Sequence, residues 1–222
     1  MGGPKVRLIS YTQPVDEIKN QGINDALELV AFCARVSNPS NQYNSETAEK
    51  LVRYLVKHKH WSPLEMVDAT LEIETTRDIT HQIIRHRSFS FQEFSQRYAD
   101  PTKDMEFVTR EARLQDNKNR QNSIETDNTD LKNWWLKAQL EVWGTADLVY
   151  REAINAGIAK EQARAVLPEG LTTSRIYMKG SIRSWLHYIE VRTDPSTQKE
   201  HREVALECAK EIAKIFPNIV NI

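Results

Sequence analysis

The sequence has little of what most phosphate-binding and metal-binding motifs require. Its seven glycines are scattered along 222 residues, so there is no glycine-rich phosphate loop, and a dinucleotide would not be held by a Rossmann fold. The only two cysteines, Cys33 and Cys208, have neither metal-binding nor redox spacing. Both lie in helical, apolar patterns, so we expect buried free thiols, and a disulfide between them is the alternative.

The histidines do not form a metal-binding pattern either. His58 and His60 are two residues apart, and His81 and His86 are five apart, whereas a helical zinc site places its histidines four apart. No cysteine or acidic partner stands at a standard spacing from them. We therefore expect no metal ion, and metal binding is kept as a competing hypothesis.

The chain also lacks a basic excess and a long apolar run. Its 30 lysines and arginines are balanced by 31 acids, giving a net charge of -1, which argues against general nucleic-acid binding. No apolar run approaches the roughly 20 residues that span a bilayer, and the N-terminal residues lack the apolar segment of a signal peptide. We expect a cytoplasmic protein with no nucleic-acid or membrane partner.

What the sequence does contain is the mixture of patterns typical of an α+β protein. Alternation of apolar and polar residues predicts strands at Lys5–Tyr11, 66–75 and 171–180, and a short strand at 105–108. Helical spacing predicts helices at 24–36, 45–58, 77–86, 160–167, Ile182–Arg192 and 197–216. The order predicts a single domain over 1–222, with a central, mostly antiparallel sheet flanked by helices.

A longer helix is predicted at about 130–156. Its apolar face carries six residues: Trp134, Trp135, Leu140, Trp143, Leu148 and Tyr150. The polar, asparagine-rich stretch before it, 113–130, is expected to be an exposed connection.

Residues 85–98, with the sequence RHRSFSFQEFSQRY, form the most unusual stretch. Arg85-His86-Arg87 suits a phosphate, since a guanidinium is costly to bury unpaired and its forked donors match phosphate oxygens. A solvated basic turn is the alternative explanation. Ser95 with His86 suggests nucleophilic catalysis, but no nucleophile elbow or orienting acid accompanies them.

Two distant arginines, Arg164 and Arg192, stand in apolar surroundings. An arginine in apolar surroundings usually packs its aliphatic side-chain carbons on apolar surface or forms a salt bridge. Convergence of these arginines with Arg85 and Arg97 on one anion would explain all of them together.

These motifs together resemble those of a known family. Arg85-His86-Arg87, seven further residues and then Ser95 match the RHR-x7-S motif of the flavin-dependent thymidylate synthases. Residues 60–65 (HWSPLE) resemble the family's upstream His-x-Thr/Ser-Pro-Phe-Glu element, and Gln82 precedes Arg85 by three residues, as in the family. Residues 163–168 (ARAVLP) resemble its Ala-Arg-x-Val-Leu-Pro segment, and 183–200 resemble its C-terminal helical region. The sequence is therefore identified as a member, over about residues 60–200.

The resemblance implies a homotetramer that methylates dUMP to dTMP. In the family, FAD is the cofactor, 5,10-methylenetetrahydrofolate gives the carbon, and NADPH reduces the flavin. The active sites of the family lie between subunits.

The resemblance also implies site residues. Those expected to contact FAD are Ser62, Arg85, His86, Arg87, Glu93, Ser181, Ile182, Arg183 and His187. Those expected to surround dUMP are Gln82, Ile83, Ile84, Arg85, Glu93, Phe94, Ser95, Gln96, Arg97, Arg164 and Arg192. Arg192 is the expected catalytic residue: it would lie against the uracil edge and stabilise its negative charge. The family's mechanism requires no enzyme nucleophile.

The sequence departs from the family pattern at three positions. Gln96 stands where glycine is usual, so its side chain must find room beside the phosphate. Met66 and Ser196 stand where many members have histidine. The competing hypothesis from another class is a non-catalytic protein that binds nucleotides through the same arginines.

Overall fold

The computed structural model describes residues 3–220. The strands are, in chain order, β1 (Lys5–Tyr11), β2 (Asp68–Thr76), β3 (Ser90–Glu93), β4 (Arg113–Gln115), β5 (Ser123–Glu125) and β6 (Thr173–Ser181). Four of them form an antiparallel sheet in the order β1-β2-β6-β3, and β4 pairs with β5 in a separate antiparallel hairpin. The predicted α+β class with a central antiparallel sheet is confirmed.

Helices flank this sheet. They are α1 (Asp16–Lys19), α2 (Ala26–Ala34), α3 (Ala48–Lys57), α4 (Arg77–Ile83), α5 (Pro101–Asp104), α6 (Thr129–Asn155), α7 (Lys160–Ala163), α8 (Ile182–Arg192) and α9 (Lys199–Ala213). Short 3-10 turns occupy Pro39–Asn41, Ser62–Met66 and Arg164–Val166. Within the described residues, no helix combines the length and the apolar character needed to cross a membrane.

The core lies on one face of the sheet. Leu71 and Ile73 of β2 and Ile176 and Met178 of β6 are fully buried, because alternate residues of a strand share one face. Helices α8 and α9 pack against the sheet and against each other, and α2 packs against α3. Trp185 of α8 is fully buried, and its indole nitrogen donates to the carbonyl of Ala69, 3.0 Å away.

The opposite face of the sheet carries cross-strand polar pairs. Glu72 accepts from Arg7 at 2.8 Å and from the Tyr177 hydroxyl at 2.7 Å, and all three residues are register partners. Glu74 accepts from its register partner Arg175 at 2.7 Å. The polar side of β2 therefore carries charged residues that pair with opposite charges on the neighbouring strands, instead of unpaired residues facing solvent.

Three predicted elements differ in the structure. Residues 105–108 make only one isolated bridge, Phe107 to Thr172, so they run beside β6 without forming a strand. The 113–130 connection contains the β4–β5 hairpin, whose loop is organised by Asp116, which accepts from the backbone of Lys118 at 2.7 Å and Asn119 at 3.1 Å. Helix α4 ends at Ile83, not at residue 86, so the Arg-His-Arg segment lies in a turn.

Helix α6 has the predicted length, but most of its apolar side chains face outward. Of the residues on its predicted apolar face, Tyr150 is buried and Trp143 is half-buried. Trp134 is 61% exposed and Leu148 is 57% exposed. Among the described residues, the helix contacts α7, the 3-10 turn that follows it, and the segment from Phe107 to Arg110, while Trp134 and Leu148 stay exposed.

Candidate active site

The Arg85-His86-Arg87 segment occupies the turn between α4 and β3. The backbone nitrogen of His86 donates to the carbonyl of Ile83 at 3.0 Å, which closes the end of the helix. Arg85 and Arg87 point to the surface and make no ion pair with any of residues 3–220. Two exposed, unpaired guanidiniums in one turn leave their forked donors available for an anion.

His86 is directly joined to Arg192. The Arg192 Nε donates to His86 Nε2 over 2.9 Å, so this ring nitrogen is an acceptor and the imidazole is neutral. The pKa of His86 is lowered to about 4, first by burial and then by the positive charge of Arg192. The edge of the ring packs against Tyr188, with ring centroids 5.0 Å apart. Two predicted site residues separated by 106 positions in sequence are thus brought together.

Gln82 lies on α4 close to this pair and is held on both sides. Its Nε2 donates to the Gln198 side chain at 2.8 Å, and its Oε1 is 3.2 Å from His201 Nδ1. His201 Nε2 lies 3.2 Å from the Tyr188 hydroxyl. Because Tyr188 also touches His86, Gln82 and the His86–Arg192 pair are supported by one buried group of side chains.

Ser95, Gln96 and Arg97 form a turn after β3. The Ser95 side chain is exposed, and its carbonyl accepts from Tyr98 and Ala99 at 3.1 and 2.9 Å. Arg97 pairs with Glu161 of α7 at 3.2 Å on the protein surface. Lys160 donates to the Tyr98 carbonyl at 2.8 Å, so α7 fixes this turn.

The departure at Gln96 has a visible structural consequence. Gln96 is only 3% exposed, so the side chain folds inward instead of crowding the surface beside Ser95. Its Nε2 is buried without a hydrogen-bond partner among the described residues. An unpaired buried amide is costly, which makes Gln96 the least satisfied side chain of the turn.

Arg164 stands at the junction of α7 and the following 3-10 turn. It is half-buried and forms no ion pair within the described part of the chain. Helix α7 thus brings Arg164 and the Ser95–Arg97 turn to the same end of the molecule.

Glu93 and its neighbours lie on β3. Glu93 points toward α4 and β6, where it accepts from Ser174 at 2.9 Å and from Arg77 and Thr80 at 3.4 Å each. The Phe94 backbone nitrogen donates to the carbonyl of Arg175 at 2.8 Å. Ile83, the last residue of α4, is buried in the core, and Ile84, which follows it, is 40% exposed.

The remaining residues expected at FAD line or flank a second region. Arg183 pairs with Glu65 at 2.7 Å beside a cleft of about 320 Å³ that also includes Ser88, Ser90 and Ser181. The Ser181 hydroxyl caps α8 by accepting from the Ser184 backbone at 3.3 Å. Three further residues have these positions: Ser62 exposed at the 3-10 turn, His187 exposed on α8, and Ile182 fully buried with its backbone nitrogen 2.8 Å from the Val67 carbonyl.

A larger cavity of about 560 Å³ lies elsewhere. It opens between the ends of β1 and β2 and helix α9, and none of the predicted site residues lines it. Its charged side chains are largely paired with one another, as in Lys199 with Glu111 at 2.6 Å and Lys5 with Glu106 at 2.9 Å. We therefore place the candidate site at the turn and not at this cavity.

The predicted residues thus form separate groups within one chain. One group contains Gln82, His86 and Arg192, and another contains Ser95, Arg97 and Arg164 at α7. Among residues 3–220, no hydrogen bond or ion pair joins the first group to the second. Ser95 and His86 are likewise not hydrogen-bonded to each other, so the nucleophilic pair considered from the sequence is not assembled in this chain.

Sequence reasoning did not single out His201, Tyr188 or Glu161. His201 carried a usable signal, because it stands on the apolar side of α9 with Val204, Ala205 and Cys208 at spacings of three, four and seven. A histidine on such a stripe needs partners for both ring nitrogens. Glu161 carried no comparable signal.

Comparison with known proteins decides the family. The model of the family described as thymidylate synthase complementing protein matches residues 17–218. A flavin-dependent thymidylate synthase of Synechocystis is 50% identical over 214 residues, covering 96% of each chain. The chain belongs to the flavin-dependent thymidylate synthase family. A probable member of the family from Paramecium bursaria Chlorella virus 1 is 48% identical over 213 residues, covering 96% of this chain and 95% of the viral one.

A solved structure shows the same fold. A UMP/dUMP methylase, PolB from Streptomyces cacaoi bound with 5-Br UMP, superposes with a TM-score of 0.77. The two chains are 24% identical over 99% of this chain and 92% of that one. At this identity the similarity supports the fold alone.

Family membership confirms several predictions from the sequence. The comparisons confirm the predicted enzyme class, an FAD-dependent methyltransferase. They also confirm FAD as the cofactor, with NADPH and methylenetetrahydrofolate as co-substrates.

The thiols of Cys33 and Cys208 are free, with Cys208 buried and Cys33 half-buried.

Proposed function

We propose that this chain converts dUMP to dTMP, with methylenetetrahydrofolate as carbon donor. The observation that carries the proposal is the set of unpaired guanidiniums at Arg85, Arg87 and Arg164 in a member of this family, together with the His86–Arg192 pair. The cofactor that this site would hold, FAD reduced by NADPH, would supply the hydride that completes the methyl group. The reaction lies in dTMP biosynthesis, and we propose a cytoplasmic location.

The donors near the Arg85–Arg87 turn fit the FAD pyrophosphate. Arg85 and Arg87 are exposed, carry permanent charge and pair with no carboxylate among residues 3–220. The rest of the proposed set consists of Ser62, His86, Glu93, Ser181, Ile182, Arg183 and His187. Among these, Arg183 is already oriented by Glu65.

Two members of that set are used by the fold itself. The Ser181 hydroxyl caps a helix, and Ile182 is fully buried. We propose that they shape the wall of the FAD site through packing and position rather than through their side-chain polarity.

The Ser95–Arg97 turn suits the phosphate of dUMP. A nucleoside monophosphate is a dianion, and Ser95 offers an exposed hydroxyl while Arg164 offers an unpaired guanidinium. Arg97 becomes available when its exposed pair with Glu161 opens, which costs little for a surface ion pair. Gln96, which is buried, and Phe94, which is half-buried, lie beneath the exposed side chain of Ser95. We propose that Gln82 and Ile84 lie toward the base, and that Ile83, whose side chain is buried in the core, contributes through its backbone.

Arg192 is proposed to act on the uracil ring. Its Nε is engaged by His86, which fixes the guanidinium plane and leaves the two Nη groups for the substrate. Their positive charge would stabilise the N3-deprotonated ring while C5 forms its bond to the folate methylene carbon. The bond from that carbon to a folate nitrogen breaks, and the C5 hydrogen leaves as a proton to solvent. The neutral His86 orients Arg192 without competing for its charge.

The active unit is proposed to be a homotetramer of single-domain chains spanning 1–222. Helix α6 exposes Trp134, Leu140 and Leu148 along its length, and exposed apolar surface of this kind favours association. No hydrogen bond or ion pair within residues 3–220 joins the Gln82–His86–Arg192 group to the Ser95–Arg164 group, which supports sites completed by a second copy of the chain.

Flavin spectroscopy tests this function against a non-catalytic nucleotide-binding protein. The purified protein, incubated with FAD and freed of excess cofactor, should retain a flavin absorption spectrum. Addition of dUMP should then perturb that spectrum, because the nucleotide lies near the flavin. A protein that stays colourless after this treatment contradicts the proposed enzyme.

A further inference from the structure

The strongest unassigned feature is a chain of hydrogen bonds behind Gln82, buried at one end and half-buried at the other. It runs from the Tyr188 hydroxyl through His201, Gln82 and Gln198 to Glu200. Tyr188 and His201 are both 0% exposed, so their polar atoms depend on each other and on Gln82 for partners. The chain joins α4, α8 and the start of α9.

Glu200 determines which atom donates and which accepts in each bond of this chain of hydrogen bonds. Its carboxylate can only accept, and it is held by Arg113 at 2.6 Å, whose hydrogen bond lowers the pKa of Glu200 against the opposing effect of burial. The Gln198 Nε2, 3.0 Å from Glu200, must therefore donate to it. This turns the Gln198 Oε1 toward Gln82, whose Nε2 donates across 2.8 Å.

The orientation of the Gln82 amide in turn determines which ring nitrogen of His201 carries the proton. With its Nε2 turned toward Gln198, Gln82 presents Oε1 to His201, so His201 Nδ1 carries the proton over the 3.2 Å contact. His201 Nε2 then accepts from the Tyr188 hydroxyl, also at 3.2 Å. Burial, and then the charge of Arg192, lower the pKa of His201 to about 3, which is consistent with a ring that donates once and accepts once.

We propose that His201 is a positioning residue that locks the Gln82 amide in one orientation toward the nucleotide base. Reversal of the amide would place two donors, or two acceptors, face to face at His201 and at Gln198. With the chain intact, Gln82 can offer the ligand only its second Nε2 hydrogen and its second Oε1 lone pair. This inference rests on the proposed function, since it assigns Gln82 to the base of dUMP.

His201→Phe provides the direct test, because it keeps an aromatic ring in the core and removes both hydrogen bonds. We expect FAD binding to be unchanged and the Kd and KM for dUMP to rise about tenfold, the cost of losing one oriented hydrogen bond. The kcat at saturating dUMP should fall less than kcat/KM. His201→Asn should recover most of the affinity, since its amide nitrogen can take the place of Nδ1.

Val204→Ala is the matched control for damage to α9. Val204 is fully buried one turn after His201, so this substitution lowers stability without touching the chain of hydrogen bonds. The dUMP Kd of Val204→Ala should equal that of the wild type. If His201→Phe does not fold, a second variant, Gln198→Met, can be used, because Gln198 is only half-buried. It removes the hydrogen bond that holds Gln82 on its other side and should also raise the dUMP Kd.

The outcomes separate the two proposals. If the wild-type protein with FAD bound does not bind dUMP, the proposed function fails. If the wild type binds dUMP and the His201→Phe and Gln198→Met variants bind it equally well, the positioning role is wrong while the function stands. Equal loss of dUMP affinity in Val204→Ala would also contradict it, since core damage alone would then explain the effect.

Discussion

At the scale of single residues, the account depends on Arg192 and the neutral imidazole beside it. His86 lies in the motif that marks the family, yet its Nε2 accepts a hydrogen bond from Arg192 instead of facing solvent. Sequence alone identified both residues through the resemblance, but their contact spans 106 positions and depends on how α8 packs against the α4 turn. Such a contact has no local signal.

Arg192→Ala should nearly abolish turnover while FAD remains bound. Loss of one preorganised charge at the reacting ring typically lowers kcat by about 10²–10³. The measurement is single-turnover dTMP formation on protein whose flavin content has been determined by absorbance. Arg192→Lys, which keeps the charge but loses the Nε contact to His86, should retain more activity than the alanine variant. Near wild-type turnover in Arg192→Ala would refute the assigned role.

Ser95→Ala should weaken dUMP binding and leave turnover at saturating dUMP largely intact. The hydroxyl is exposed and is expected to contact a charged phosphate, so its removal should raise the Kd about tenfold or more. Titration with dUMP followed by flavin absorbance gives the Kd. Complete loss of turnover at saturating dUMP would instead revive Ser95 as a nucleophile.

Half-buried His86 and fully buried His201 predict a dependence of stability on pH. The pKa values of His86 and His201 are lowered to about 4 and about 3 in the folded chain, whereas the unfolded value is about 6.5. The unfolded chain therefore binds more protons, and stability present above the unfolded pKa is lost as pH falls toward the folded values. Between pH 7 and 5.5, each histidine should lower the free energy of unfolding by about 1 kcal/mol.

Urea unfolding of the wild type and His201→Phe at these two pH values measures this effect. The variant should lose about 1 kcal/mol less than the wild type over the interval, because one of the two groups is gone. Identical losses in both proteins would show that His201 is not held neutral by the fold.

At the scale of elements, alternation of apolar and polar residues predicted β1, β2 and β6 but also a strand at 105–108 that does not form. β1, β2, β6 and the start of α8 at Ile182 could be predicted because period-two and helical spacings are local properties. The β4–β5 hairpin was missed because each strand offers a single apolar residue, Leu114 or Ile124, between polar neighbours. The early end of α4 was missed because nothing in Ile84-Arg85-His86 breaks a helix.

Gly180 in β6 occupies a position where the structure leaves no room for a side chain. A Cβ added there would lie 2.4 Å from Cδ1 of Phe89, which itself packs on Trp185 with ring centroids 4.8 Å apart. Gly180→Ala should therefore lower the free energy of unfolding by about 1–3 kcal/mol, measured by urea denaturation. Adding Phe89→Leu should recover part of this loss. Simple additivity of the two substitutions would contradict the proposed clash.

At the scale of the whole molecule, the sequence predicted the length of α6 but not which way its apolar residues face. A helical wheel cannot distinguish packing inside one chain from packing between copies. Trp134, Leu140 and Leu148 read as core-facing, yet they lie on the surface of the single chain. For the same reason, helical patterns alone could not predict whether the site is complete within one chain, and only the family resemblance implied sites between subunits.

The double variant Trp134→Glu/Leu148→Glu should convert the proposed tetramer into smaller species and lower turnover. Both side chains are more than half exposed in the single chain, at 61% and 57%, so their loss should not damage its core. Sedimentation velocity measures the assembly. Val36→Glu, a change at an isolated side chain that is 69% exposed, is the matched control and should leave it intact. A variant that sediments like the wild type would refute the role of α6.

The reaction itself is the most direct test of the central claim that this chain methylates dUMP at C5. Protein loaded with FAD is supplied with NADPH, methylenetetrahydrofolate and dUMP carrying tritium at C5. The account predicts release of tritium to water in step with formation of dTMP, and loss of both in Arg192→Ala. Flavin-loaded wild-type protein that binds dUMP but releases no tritium and forms no dTMP would contradict it.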